Sequence, residues 1–256
     1  MHKGQTILEV AGHLDWQHML AFYRLRAIHS LETITDTHYQ RSGLFDEVRY
    51  QIRLTQHDGN SLILEYQISD TNSLPALIQN IREMFDLDCD THNVEAHLSK
   101  LEPELIKVKG LRIPGVWSVW EAGVRAILGQ QVSVKAAINH LNNLVDTISS
   151  QDFPTPTEVA QTDLSFLRMP ESRKQTLARY AEYMLQYPDS MPNEWLALKG
   201  IGPWTVQYAE LRGERIKDCF VEGDLIVKKR RIDYPNLNKQ SVSPWGSYAT
   251  LHLWNQ

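Results

Sequence analysis

The 256 residues are 42% apolar with a formal net charge of −5, which is enough apolar content for one large domain or two smaller ones and too acidic a balance for a protein that coats nucleic acid through charge alone. No apolar run reaches the roughly 18 residues of a membrane span, and the opening MHKGQTILEV lacks a signal-peptide core. Cys89 and Cys219 are too few for a disulfide framework or a four-thiolate iron–sulfur site, so a cytoplasmic protein away from membranes is expected.

Residues 6–10 (Thr-Ile-Leu-Glu-Val) read as a short strand. From Asp15 to Leu31 apolar residues crowd at helical spacing, with Asp15 placed as an N-cap. The period then changes to two. Val48, Tyr50, Ile52 and Leu54 alternate with polar neighbours, as do Leu62, Leu64, Tyr66 and Ile68, and His57-Asp58-Gly59-Asn60 between them predicts a hairpin turn. Helical spacing returns from Asn72 to Phe85, so the N-terminal part reads as an antiparallel sheet with helices.

Beyond residue 90 strand signals nearly vanish. Ile113-Pro114-Gly115 turns into a helical region in which Val124, Ile127, Leu128, Val134, Ile138, Leu141, Val145 and Ile148 form an amphipathic series. The series breaks at Gly129-Gln130-Gln131 and restarts at Ser133. Phe153-Pro154-Thr155-Pro156-Thr157 is a rigid connector, and helices are predicted over 157–168, 171–187, 193–199 and 203–212, with Ser243-Pro244 opening the last one.

Leu198-Lys199-Gly200-Ile201-Gly202 places two glycines two apart in a tight turn, where missing Cβ atoms permit positive φ and let a ligand approach backbone N–H groups. Pro203 sits at a first helical position, Val206, Tyr208, Ala209 and Leu211 give the segment an apolar side, and Gly213 stops it. A helix N-terminus beside the turn, with Lys199 near, suits an anion such as a phosphate; a plain helix-capping turn is the competing reading. Residues 1–100 are acidic on balance and 195–256 basic, with Lys228-Lys229-Arg230-Arg231 shortly after Asp224. That run is either a footprint for phosphates or a solvated charged face. Alone, Asp224 reads as an N-cap or surface acid.

The Leu-x-Gly-Ile-Gly hairpin, followed past one helix by Asp224, resembles the helix-hairpin-helix DNA glycosylase superfamily. GIGPWTVQYAELRG, GVRAILGQQVSV, GLRIPG and SYATLHLW, with HLDWQHMLAFYRLRA and MFDLDCD in the N-terminal half, are most similar to its DNA-3-methyladenine glycosylase II family, and the likeness covers nearly the whole chain. The resemblance implies an α+β fold. An N-terminal antiparallel sheet domain like the half-fold of the TATA-binding protein (1–94) would precede an all-α core of two subdomains, one of 119–216 with the hairpin, the other of 95–118 and 217–256 with the catalytic acid. It further implies a monofunctional glycosylase of base excision repair, a monomer at the bacterial nucleoid that flips alkylated purines out of double-stranded DNA and leaves an abasic site. No cofactor for catalysis and no iron–sulfur cluster is expected.

Residue by residue, the resemblance makes Asp224 the catalytic carboxylate and Phe22, Trp204, Tyr208, Leu225 and Trp254 the base pocket. Gln130, Gln131, Lys199, Gly200, Ile201, Gly202 and Thr205 become DNA contacts, and the backbone carbonyls of Leu196, Leu198 and Ile201 become ligands of a monovalent cation at the hairpin. Taken singly, each aromatic reads as core as readily as pocket. Glycosidic cleavage builds positive charge on the sugar, which a carboxylate stabilises, and a cationic alkylated base leaves without a dedicated acid. Aromatic faces attract such a cation. The chain departs from its relatives at Gln131, where the family inserts an apolar wedge, at Leu225, where a Tyr is common, and at Gly246, where Arg is frequent. Trp204 occupies the position of the nucleophilic Lys of bifunctional relatives, so no Schiff base is expected. Two other readings stand beside this one: a monofunctional glycosylase for deaminated or oxidised bases, and a noncatalytic module that holds or bends DNA.

Overall fold

The structure, a computed structural model, describes residues 1–149 and 151–256. Its N-terminal part is a five-stranded antiparallel sheet in the order β1-β5-β4-β3-β2, formed by β1 (His2–Glu9), β2 (Glu32–Ile34), β3 (His38–Phe45), β4 (Val48–Asp58) and β5 (Ser61–Ile68). The predicted hairpin is β4–β5, closed by Asp58 accepting from the Asn60 N–H at 2.8 Å. Alternation buries Tyr50, Ile52, Leu54, Leu62 and Leu64 on one face, where they pack with residues of α1 (Trp16–Arg24) and α2 (Leu74–Met84). Asp15 caps α1, its carboxylate accepting from the His18 N–H at 2.9 Å. The helix ends well before the expected Leu31. Residues 25–31 turn inward instead, burying Ile28 and Leu31 and feeding β2, with the Ile28 N–H donated to the Glu32 carboxylate at 2.8 Å.

Strands β2 and β3 have no apolar alternation to announce them, because the inward positions of β3 are Tyr39, Arg41 and Gly43. Arg41 is 2% exposed and pairs with Glu32 at 2.9 Å and Glu121 at 2.7 Å, while Arg125 pairs with Glu121 at 2.8 Å and lies 3.9 Å from Glu32. Tyr39 and Arg41 donate further hydrogen bonds, to Glu32 and to the Tyr50 hydroxyl. Two guanidinium groups and two carboxylates thus balance each other in the interior, the condition under which buried charge is tolerated. The quartet joins the sheet to α4 (Val119–Gly129), which carries Glu121 and Arg125 one helical turn apart.

Helix α3 (Thr91–Leu101), capped by Asp90, leads to the helical core. There α4 is buried over nearly its whole length, against α5 (Val134–Ile148), α7 (Glu171–Gln186) and α8 (Pro203–Arg212). Close approach requires small residues: a Cβ on Gly123 would lie 2.2 Å from the Tyr180 hydroxyl. Ser133 caps α5 as predicted. The stretch expected as a helix over 157–168 is the shorter α6 (Pro156–Gln161) and a separate 3-10 turn, and 193–199 is a 3-10 turn over Pro192–Ala197. A further cluster gathers Leu98, Phe220, Val227, Tyr248 and Leu253 around α9 (Leu225–Arg230), α10 (Lys239–Val242) and α11 (Gly246–Trp254), the last starting two residues after Pro244. No helix among the described residues is long and apolar enough to cross a membrane.

Candidate active site

The two hairpin glycines do different things. Gly200 has φ +98°, and a Cβ there would lie 2.0 Å from the Thr176 hydroxyl on α7, so both backbone conformation and space demand glycine. Gly202 has φ −115° as the N-cap of α8, and a Cβ would meet nothing within 4 Å, which leaves that side open to a ligand. The N–H groups of both glycines make no hydrogen bond among the described residues. Lys199 is exposed, and Ile201 anchors the hairpin in the core at 7% exposure.

Carbonyls of the hairpin face two ways. That of Lys199 accepts from Arg179 at 2.9 Å, and that of Gly200 accepts from the Gln130 amide at 3.0 Å. The same amide donates to the Thr205 hydroxyl at 3.0 Å, so Gln130 and Thr205 are spent on tying the end of α4 to the hairpin. Gln131, next along, is exposed with φ +56°. The Leu198 carbonyl closes the turn by accepting from the Ile201 N–H at 3.0 Å, while the Ile201 carbonyl accepts no hydrogen bond among the described residues. Leu196 precedes them in the 3-10 turn with its side chain half exposed. No three His, Cys, Asp or Glu side chains gather into a metal site among the described residues.

Asp224 is the N-cap of α9 and the meeting point of two other helices. Its Oδ1 accepts from the N–H groups of Ile226 (2.9 Å) and Val227 (3.1 Å) and from the Trp254 indole (3.1 Å) at the end of α11. Its Oδ2 accepts from the Trp204 indole at 2.9 Å, in the first turn of α8. Backbone and two rigid indoles thus hold a half-buried carboxylate in one orientation. Leu225 does not join this cluster: it stands 80% exposed at the rim, beside Ile226 at 48%. Lys228 and Lys229 are exposed, whereas Arg230 donates to the Gln256 carbonyl and Arg231 pairs with Glu222.

From Trp204 the aromatic surface continues to Tyr208, one helical turn on, with ring centres 5.4 Å apart. The Tyr208 hydroxyl accepts from Arg212 at 2.8 Å, and the Arg212 guanidinium lies 4.9 Å from the centre of Phe22. Arg26 covers the same Phe22 ring at 3.7 Å. Hydrogen bonds and ring contacts therefore link Trp254, Asp224, Trp204, Tyr208, Arg212 and Phe22 into one run of side chains, with the acid towards one end and arginines towards the other. Burial alone would raise the Tyr208 phenol, but Arg212, Arg125 and Arg26 outweigh it and lower its pKa. Burial, reinforced by Arg212 and Arg125, brings the Arg26 guanidinium down to about 10. Sequence reasoning missed both Arg26 and Arg212. The available signal is the repeated spacing: each follows an aromatic expected in the pocket by four residues, Phe22 to Arg26 and Tyr208 to Arg212.

A five-stranded sheet, a helical core and a glycine hairpin ahead of α8 are the fold of a helix-hairpin-helix DNA glycosylase. Solved structures agree on the fold. The 3-methyladenine DNA-glycosylase from Archaeoglobus fulgidus matches with a TM-score of 0.79 over 97% of each chain at 15% identity. The Clostridium acetobutylicum 8-oxoguanine glycosylase/lyase, in complex with double-stranded DNA, matches with a TM-score of 0.68 over 88% of this chain and 86% of that one at 14% identity. Residues 6–118 match the AlkA N-terminal domain family. With 33% identity to the Escherichia coli DNA-3-methyladenine glycosylase 2 over 94% of this chain and 93% of that protein, the chain belongs to the DNA-3-methyladenine glycosylase 2 family.

Proposed function

We propose that this chain is a monofunctional glycosylase of base excision repair that extrudes alkylated purines of the 3-methyladenine and 7-methylguanine type from double-stranded DNA and hydrolyses the N-glycosidic bond. The observation that carries this reading is Asp224, held by the indoles of Trp204 and Trp254 at the edge of an aromatic surface. Extrusion costs a few kcal/mol of stacking. The open N–H groups at Gly200 and Gly202, with exposed Lys199, grip a phosphate and so position the strand without reading its sequence. Gln131, exposed beside the hairpin, fills the gap left by the extruded base.

A monovalent cation suits the neutral carbonyl oxygens of Leu196, Leu198 and Ile201, the last free of other partners among the described residues. When bound it would add positive charge beside the same phosphate. The lesion stacks against Phe22, Trp204, Tyr208 and Trp254. As the bond lengthens, positive charge grows on the sugar, and the Asp224 carboxylate stabilises it and takes the proton of the attacking water. Trp204 offers no amine where a lyase needs one, so the product strand stays intact. The protein acts as a monomer at the nucleoid.

Incubation with methylated duplex DNA followed by chromatography of the released bases tests the reading. Free 3-methyladenine and 7-methylguanine are expected. Release of deaminated or oxidised bases alone would move the substrate class, and DNA binding with no base released would overturn the enzymatic assignment.

A further inference from the structure

Two guanidinium groups stand at the end of the site remote from Asp224, and no carboxylate pairs with either among the described residues. Arg26 lies 3.7 Å over the Phe22 ring and donates to the Phe22 carbonyl at 3.2 Å. Arg212, 1% exposed, hydrogen-bonds to no carboxylate among the described residues: its acceptors are the Pro114 carbonyl at 2.6 Å, the Gly115 carbonyl at 3.5 Å and the Tyr208 hydroxyl at 2.8 Å. Arg125, behind them, is matched by Glu121 and Glu32. A buried cation is ordinarily paired, so the unmatched Arg212, with the half-buried and equally unmatched Arg26 beside the same aromatic pocket, calls for a function. Asp224 supplies the opposite sign at the other end, and the site therefore carries a fixed electric field along its length.

We propose that Arg26 and Arg212 are an electrostatic sink for the departing base, a role that rests on the assignment of Phe22 and Tyr208 to the base pocket. When the bond between the sugar C1′ and the base nitrogen breaks, its electron pair stays on the base. A cationic alkylpurine leaves neutral, and a neutral purine such as hypoxanthine leaves with a negative charge that solvent protons later quench. In both cases the charge on the base falls by one unit beside the two guanidinium groups, and that on the sugar rises by one unit beside Asp224. Water then adds to C1′ and its proton passes to Asp224 and on to solvent. The field favours this redistribution without any proton donor. Its effect before bond breaking differs between the substrates: the guanidinium groups repel a bound cationic base and leave a neutral one unopposed.

That difference gives a test on the full-length protein, with Arg26 as the target because it is only half buried. Single-turnover excision is measured for duplexes carrying 7-methylguanine or hypoxanthine, with wild type, Arg26→Gln and Arg26→Lys. For Arg26→Gln the maximal rate should fall about tenfold on both lesions, while the half-saturating concentration falls by at least about tenfold for 7-methylguanine, because the rate cannot lose more than the repulsion that binding sheds, and stays unchanged for hypoxanthine. Arg26→Lys, which keeps the charge, should stay within about threefold of wild type on each count. An arginine that merely props Phe22 would weaken binding of both lesions, with no rescue by Lys, and that result overturns the proposal. So does an unchanged maximal rate in Arg26→Gln. If wild type releases only 7-methylguanine, the rate and affinity changes on that lesion decide alone. If wild type releases neither base, the functional reading itself fails and this inference falls with it.

Discussion

Replacing Asp224 by Asn removes one charge and changes almost no shape. The Asn carbonyl can keep the three hydrogen bonds that Oδ1 accepts, from Ile226, Val227 and Trp254, and Asn caps a helix as well as Asp does, so α9 should persist. The new NH2 group then faces the Trp204 indole N–H, which now donates at 2.9 Å to Oδ2. Two donors cannot satisfy each other. In this half-buried position the loss is about 1 kcal/mol, or a melting temperature lower by about 2–4 °C in a chain of this size. Catalysis should suffer far more. A carboxylate about 4 Å from the charge growing on the sugar contributes about 4 kcal/mol at an effective dielectric constant of about 20, which is about a thousandfold in rate. Single-turnover release of 7-methylguanine, with lesion binding followed separately by fluorescence anisotropy, should show that loss at nearly unchanged affinity. A mutant rate within tenfold of wild type, at the small thermal shift expected, would refute the catalytic assignment and the electrostatic argument with it.

The hairpin glycines should separate in the same way. Gly200→Ala forces a side chain onto a φ of +98° and into Thr176, and should lower the melting temperature by several degrees. Gly202→Ala has room and an ordinary φ, so the protein should stay as stable while binding damaged and undamaged duplex equally more weakly; unchanged binding to both would remove the phosphate from that face. Borohydride should trap no protein–DNA adduct, and strands should break only after hot alkali; an adduct would mean that another amine, such as Lys199 or Lys228, serves as nucleophile. Burial, together with His18, lowers His252 to about 4, and its Nδ1 has no partner. The unfolded chain protonates this His near 6.5, so its stabilising contribution is complete above that pH and is lost as pH falls towards 4, by up to about 1.4 kcal/mol per unit. His252→Leu should flatten the decline in melting temperature between pH 7 and 5; parallel curves would show that His252 takes up its proton as readily in the fold as in the unfolded chain.

Periodicity announces elements whose buried faces are apolar, and hides those whose buried faces are not. The β4–β5 hairpin and α8 lie where alternation, Pro203 and Gly213 place them. Strand β3 escapes because its inward residues include Arg41 and Gly43, whose burial is decided by carboxylates from elsewhere in the chain. At the site, motif spacing points to Asp224 and the hairpin, but the partners that give them geometry come from distant segments: Trp254 lies thirty residues beyond Asp224 and Gln130 seventy before Gly200. Local sequence carries no sign of such bonds. Arg26 and Arg212 are hidden for another reason, since an arginine in a chain reads as surface charge until the fold shows it buried without a counter-ion.

The ion quartet that bonds β3 to α4 also sets a timetable for the chain as it is made. Arg41 and Glu121 are eighty residues apart, and at about 5–20 residues per second the ribosome needs about 4–16 s to supply the second carboxylate after the first arginine has emerged. Until then Glu32 is the one carboxylate of the quartet at hand, and the arm of the Arg41 guanidinium that pairs with Glu121 has no carboxylate partner. Burying that arm before Glu121 is made would leave it without its partner, which disfavours drying of the inner side of β3. The β3 side of the sheet can therefore close over a fully paired interior only once α4 brings Glu121 to Arg41, which ties completion of the N-terminal sheet to the first helix of the core.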